Sequence, residues 1–365
     1  MRGDSSFGYL WLFVSALYPA AMVTAIVHEF GHAAATWLVG ARVYSITIGT
    51  GAPIWKLRSP TFELALGSNP FLGGEISHFY DQGAPRRWKE ALVLVGGVTA
   101  NAVVGATFFA LLAYVDDRSD PSVLPTVFMV VLMALAISQC LAIIVNLWPR
   151  DVRREGQLRH TDGKRLVMLL GIGSHDFGEE AARRRLIFEG MSEVRAIRIE
   201  EARAHFESAW LDRRYDGALF SWLVHCTGKV RGPNSAARLY LDHRDELPAT
   251  ETSDPYWAFA FGSVAWCALM AGDREWTPLA DQLSASAYAH WPNIGPIKAT
   301  RGAALAMLGD FETGGGMIKE ALPGISDRRD RAEFCEFLAR HERAAGGAAL
   351  AAEFSRMEQH LLQAA

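Results

Sequence analysis

Three long stretches of this chain, residues 5–27, 91–115 and 121–149, contain no Asp, Glu, Lys or Arg. Each reaches or exceeds the ~20 residues needed to cross the hydrocarbon of a bilayer. They are rich in Leu, Val, Ala and Phe, and three such runs are rare as buried helices of a soluble fold. Spans are expected at about 9–39, 91–115 and 123–148. The first lacks a basic leader and is longer than the apolar run of a cleaved signal peptide, so it is read as retained.

Charge divides the rest of the chain. Residues 1–173 carry 14 basic and 12 acidic side chains, while 174–365 carry 22 and 28. The expected organisation is a membrane-embedded core over 1–173 and a soluble domain over 174–365. The fold class is mostly α: a polytopic membrane helical core of three spans with a small β-hairpin, plus a soluble α-helical repeat-like domain. A net charge of -4 with no basic domain leaves no reason to expect nucleic acid as a partner.

Basic residues also set an orientation. Arg42, Lys56, Arg58, Arg86, Arg87 and Lys89 lie in the connector between the first two spans. Arg150, Arg153, Arg154, Arg159, Lys164 and Arg165 follow the third, whereas the short loop 116–120 holds Arg118 alone. Three crossings put both basic segments on one side, and the positive-inside rule makes that side cytoplasmic. The N-terminus is then outside and the C-terminal domain cytoplasmic. The four cysteines, Cys140, Cys226, Cys267 and Cys335, form no CxxC and are expected to be reduced thiols.

At the inner end of the first apolar run stands His28-Glu29-Phe30-Gly31-His32. Positions i and i+4 share a helix face, so both imidazoles can reach one metal. Two His ligands suit Zn2+, and a catalytic zinc needs a third ligand and a water. Glu29 is placed to take a proton from that water. The alternative is three polar groups satisfying one another in a bundle, but ionisable groups inside an apolar run are functional candidates by default.

Further along, the third apolar run ends Asn146-Leu147-Trp148-Pro149, and Asp162-Gly163 follows. His28-Glu29-x-x-His32, then N-x-x-P, then D-G, resembles the site-2 protease family of membrane-embedded zinc metalloproteases. Pro70-Phe71-Leu72-Gly73-Gly74-Glu75-Ile76 resembles that family's Gly-Gly segment between its first two core helices. Gly96-Gly97-Val98-Thr99-Ala100-Asn101 resembles its G-P-x-x-N, with Gly97 where Pro is usual. The likeness covers about residues 8–172. It implies that Asp162 is the third zinc ligand and that Asn101 donates an amide to substrate or oxyanion. Asn146 is a second candidate donor, and helix–helix hydrogen bonding is the alternative for both. The family usually places the aspartate eight residues after the asparagine; here sixteen separate Asn146 from Asp162. The polar insertion 150–157 reads as a loop that leaves and returns. Asp151 is the rival ligand, without a following Gly, and His160 reads as a solvated loop histidine.

The implied activity is intramembrane zinc endopeptidase chemistry on membrane-spanning or membrane-proximal protein or peptide substrates. Glu29 acts as general base and then acid, and zinc stabilises the oxyanion. Substrate must be extended to be cut. Residues 43–51 and 61–66 alternate roughly with period two, and Gly49, Gly51 and Pro53 punctuate between them, which suggests a hairpin whose edge pairs with substrate by β-augmentation. An ordinary hairpin packed on the bundle is the alternative.

Beyond residue 174 the pattern is helical. Gly272, Gly309 and Gly346 are each 37 residues apart, each closing a similar Ala/Leu-rich segment. That spacing resembles degenerate tetratricopeptide repeats, with a plain helical bundle as the alternative. Its expected role is binding a protein partner or gating access. Two other readings of the whole chain remain: a catalytically silent member of the same fold acting as a membrane-bound scaffold, and a soluble HExxH peptidase.

Overall fold

The computed structural model describes residues 4–69, 73–81, 86–118, 123–154, 157–171, 177–213, 216–249, 254–325 and 328–363. Residues 70–72 of the Pro70–Ile76 segment, 119–120 of the short loop and 155–156 of the insertion lie outside them. The chain divides into two compact units. One comprises residues 1–154 and 158–188, the other 155–157 and 189–365.

Three long helices frame the first unit: α1 (Asp4–Leu38), α2 (Arg87–Arg118) and α3 (Val123–Leu147). Each packs against the other two. Within them Gly8–Leu38, Arg87–Val115 and Val127–Leu147 are long and apolar enough to span a bilayer, and only 17%, 33% and 22% of their most apolar windows is buried in protein. A soluble core would bury such faces. Here Leu10, Trp11, Val103, Phe109, Leu141 and Ile144 point outward, as lipid-facing side chains do. This is an integral membrane protein, and the soluble-peptidase reading does not suit it.

Small residues bring α1 and α2 together. A Cβ on Gly31 would lie 2.6 Å from Ala100 Cβ and from the Gly96 carbonyl, and one on Gly96 would lie 2.6 Å from Ala35 Cβ. Without a hydrophobic drive between helices in lipid, such close backbone approach supplies the packing contact.

Between α1 and α2 lie β1 (Arg42–Ile48), β2 (Thr50–Arg58), β3 (Glu63–Asn69) and β4 (Glu75–Phe79). The sheet order is β2-β3-β1-β4. It is larger than the expected hairpin and wired differently. Residues 43–48 and 63–66 do pair, but in parallel, with Ser45 opposite Glu63 and Ile48 opposite Leu66. The antiparallel neighbours are β2 with β3 and β1 with β4. Gly49, at φ 74°, lets the chain reverse from β1 into β2. Along β1, Val43, Ile46 and Ile48 pack with Ala25 and Ala33 of α1 and Ile76 of β4. The sheet is thereby fixed on the helix that carries His28-Glu29-x-x-His32.

After α3 the insertion forms a second small sheet, β5 (Asp151–Arg154) with β6 (Gln157–His160). A short helix α4 (Asp162–Leu169) follows at once, then α5 (Phe177–Arg195).

From residue 199 on, the described elements of the second unit are helices: α6 (Ile199–Asp212), α7 (Gly217–Arg231), α8 (Pro233–His243), α9 (Pro255–Ala271), α10 (Thr277–His290), α11 (Gly295–Met307), α12 (Phe311–Ala321), α13 (Arg328–Ala344) and α14 (Ala348–Gln363). Sequential neighbours pair, α9 with α10, α11 with α12 and α13 with α14. Gly272, Gly309 and Gly346 follow the first helix of each pair, at φ 76°, 97° and 90°. The 37-residue spacing is therefore three left-handed helix stops at equivalent places. All four cysteines are free. Burial pushes the thiols of Cys226, Cys267 and Cys335 up to about 12, so they stay protonated and unreactive.

Candidate metal centre

His28, Glu29 and His32 lie ten or fewer residues from the C-terminal end of α1, all buried at 5%, 2% and 4% exposure. One helical turn brings the two Nε2 atoms to 3.1 Å. Asp162, at the start of α4, aims Oδ2 between them, 3.1 Å from His28 Nε2 and 3.2 Å from His32 Nε2. Among the described residues these three form the group able to hold a metal ion. Ligand atoms at Zn–N/O distances of ~2.0–2.1 Å in a tetrahedron are about 3.3 Å apart. The observed triangle matches that edge closely, so the donor set and its spacing fit zinc. Burial alone would raise the Asp162 carboxyl, but the two imidazoles beside it outweigh burial and hold it well below the usual carboxylate range.

The opposite face of each imidazole is also engaged. His32 Nδ1–H donates to the Val93 carbonyl of α2 at 2.6 Å, which leaves Nε2 as the lone-pair donor. His28 Nδ1 lies 3.2 Å from the side-chain amide nitrogen of fully buried Asn101. Asn101 Oδ1 has no hydrogen-bond partner among the described residues. A half-turn of the amide exchanges O for N, a choice set by hydrogen bonding rather than by shape. Oδ1 then accepts from His28 Nδ1–H, the same second-ligand pattern as at His32.

Two glycines make room. A Cβ on Gly97 would sit 2.5 Å from His32 Nε2 and 2.8 Å from His28 Nδ1. With the imidazoles so placed, neither Pro nor Ala fits there. A Cβ on Gly74 would meet Glu29 Cγ and Cδ at 2.7 Å. Gly74, just before β4, thus lies directly on the Glu29 carboxylate arm.

How Asp162 arrives explains its spacing from Asn146. The Thr161 hydroxyl donates to the Trp148 carbonyl at 2.8 Å, and Thr161 N–H donates to the Arg150 carbonyl at 3.2 Å. The chain leaves at 150, runs out and back through β5 and β6, and returns to its starting point. Thr161 then caps α4, accepting from Lys164 N–H. Gly163 is required because a Cβ there would lie 2.0 Å from the Leu147 carbonyl at the end of α3.

The remaining candidates fall elsewhere. Asp151 lies on β5, 2.7 Å from His160 Nδ1, and that pair is exposed. Asn146 donates Nδ2–H to Ala142 of its own helix at 3.0 Å. The Val93 carbonyl escaped sequence reasoning because a backbone acceptor leaves no residue-type signal. Glu90, a buried charge at the edge of an apolar run, was detectable as one.

A family model described as "Peptidase family M50" matches residues 17–336. Over 117 residues the chain is 32% identical to a Chlamydia pneumoniae protein named "Putative zinc metalloprotease", a match covering 27% of this chain and 19% of that one. The chain thus spans about a fifth of that relative's length. No solved structure matches. With a family match across both units and a zinc-compatible centre built from its own residues, this chain belongs to peptidase family M50, the site-2 protease family of the sequence resemblance.

Proposed function

We propose that this protein is an intramembrane zinc endopeptidase. The observation that carries the reading is the triangle of His28 Nε2, His32 Nε2 and Asp162 Oδ2, with Glu29 beside it on the same helix. His28, His32 and Asp162 hold the metal. Zinc there supplies a Lewis acid that acidifies water and polarises a carbonyl. Glu29, buried and fixed by Gly74, accepts the water proton and delivers it to the leaving amine. The substrate class is a membrane-spanning or membrane-proximal segment. Asn101 serves this centre by orienting His28, rather than by donating to substrate.

Substrate enters extended along the sheet. Its order leaves β2 at an edge, and Ile54, Trp55 and Leu57 of β2 are more than half exposed. An unwound substrate adding to that edge gains main-chain hydrogen bonds and apolar contacts together. The orientation follows from the basic residues, with the N-terminus outside and the helical unit cytoplasmic. That unit, with its three helix pairs, acts as a tetratricopeptide-like platform for a protein partner.

Glu29→Gln tests the reading. Purified wild-type protein and the variant should bind equal zinc, and only the wild type should cleave a membrane-segment peptide. Equal cleavage by both would refute the base assignment; cleavage by neither, with zinc bound, would favour the silent-scaffold alternative.

A further inference from the structure

The carboxylate of Glu90 stands in the first turn of α2, buried to 4% exposure. Three side chains engage it. His78 Nε2 of β4 lies 2.8 Å from Oε2, the Tyr80 hydroxyl donates to Oε2 at 3.2 Å, and Arg165 Nη2 of α4 donates to Oε1 at 3.3 Å. An ionised group so deep persists only when paired and hydrogen-bonded. The metal triangle has no part in this cluster, yet two of its supports, the Val93 carbonyl and the first turn of α4, lie one helical turn from it. Val93, whose carbonyl orients His32, is three residues after Glu90 on α2. Asp162 is three residues before Arg165 on α4. One turn of helix therefore separates Glu90 from the backbone that holds one ligand, and one turn separates Arg165 from another ligand.

The α4 helix is only eight residues long. At its start it is held by Thr161 and by the seat of Gly163 on Leu147. It packs against α2 and α3, and the Arg165–Glu90 pair adds a charged tie to α2. Losing that tie loosens α4 about its seat at Gly163, where a small rotation shifts Asp162 relative to both imidazoles. We propose that Glu90 and Arg165 are positioning residues of the metal centre, a half-buried ion pair that tunes zinc affinity by holding α4 against α2. The proposal rests on the zinc reading above.

The test is zinc affinity of the full-length protein in detergent, by competition with a chromophoric chelator. Variants are Glu90→Gln, Arg165→Met, their double, and Arg165→Lys, with Arg42→Met as control for loss of the exposed Arg42–Asp81 pair. Removing a second-layer partner typically costs 10–100-fold in metal affinity. Glu90→Gln and Arg165→Met should each weaken zinc by about that factor. The double variant should be no weaker than the worse single one, because the two residues act as one unit. Arg165→Lys should recover most of the loss, and Arg42→Met should leave affinity within about twofold. Should Arg165→Met fail to unfold cooperatively, Arg165→Lys and Glu90→Gln carry the comparison, since both keep the shape of the pair. Wild-type zinc binding with Arg165→Met and Glu90→Gln both within about twofold overturns the positioning role. So does a double variant whose losses simply multiply, as two independent packing defects would. If the wild type itself binds no zinc, the metal reading falls and this proposal falls with it.

Discussion

Thr161 reaches back to Trp148 with a 2.8 Å hydrogen bond, so that residues thirteen apart in sequence meet at the neck of the β5–β6 hairpin. The insertion is therefore external to the centre it interrupts. A protein lacking residues 152–159 joins Asp151 to His160, which already pair at 2.7 Å, and leaves Thr161 in place. It should retain one equivalent of zinc by elemental analysis. Zinc loss in a folded deletion protein would mean that the hairpin itself shapes the site.

Gly97 sets how closely α2 may approach the two histidines. Gly97→Ala should gain helix propensity, by about 1 kcal/mol in an isolated helix, yet lose function, because the new methyl overlaps His32 Nε2. Zinc affinity should fall at least tenfold in a chelator competition. An unchanged affinity would show that the imidazoles have room which the 2.5 Å approach denies them.

Asn101 discriminates between two roles. If Oδ1 accepts from His28 Nδ1–H, Asn101→Asp should bind zinc at least as tightly as the wild type, because a carboxylate is the better acceptor. Asn101→Leu should then weaken zinc by about 10–100-fold. If the amide instead donates to an oxyanion, both variants should keep zinc and lose kcat. Paired affinity and turnover measurements separate the two patterns.

A pH dependence is expected from the helical unit. Burial, reinforced by the Lys229 ammonium and opposed by Glu333, holds His225 below the ordinary imidazole value. The unfolded chain, with His near 6.5, binds a proton there before the folded chain does. Stability therefore falls as pH drops below about 6.5 and levels off beneath the folded-state value. In urea titrations followed by tryptophan fluorescence, His225→Gln should have a shallower fall over that window. Identical slopes for the two proteins would exclude His225 as its source.

Much of this arrangement was legible in sequence because it is local. Charge-free runs of helical span length announce α1, α2 and α3, and His28, Glu29 and His32 share one turn. Asp162 could be nominated only through the resemblance of its D-G pair to the family's, and the need for that glycine becomes visible where Gly163 meets the Leu147 carbonyl. What escaped is non-local. Period-two alternation marks β1 and β3 as strands but carries no information on direction, so their parallel pairing came unannounced. The four-stranded order depends on β2 crossing to the far edge. His78, Glu90 and Arg165 lie on three separate elements, and no spacing rule links them.

The most direct measurement of the central claim is the position of zinc itself, read from anomalous scattering in crystals of the zinc-loaded protein. The account predicts one peak, ~2.0–2.2 Å from His28 Nε2, His32 Nε2 and an Asp162 oxygen, and its disappearance in Asp162→Ala. A peak at Asp151 and His160, or none anywhere in active protein, would contradict it.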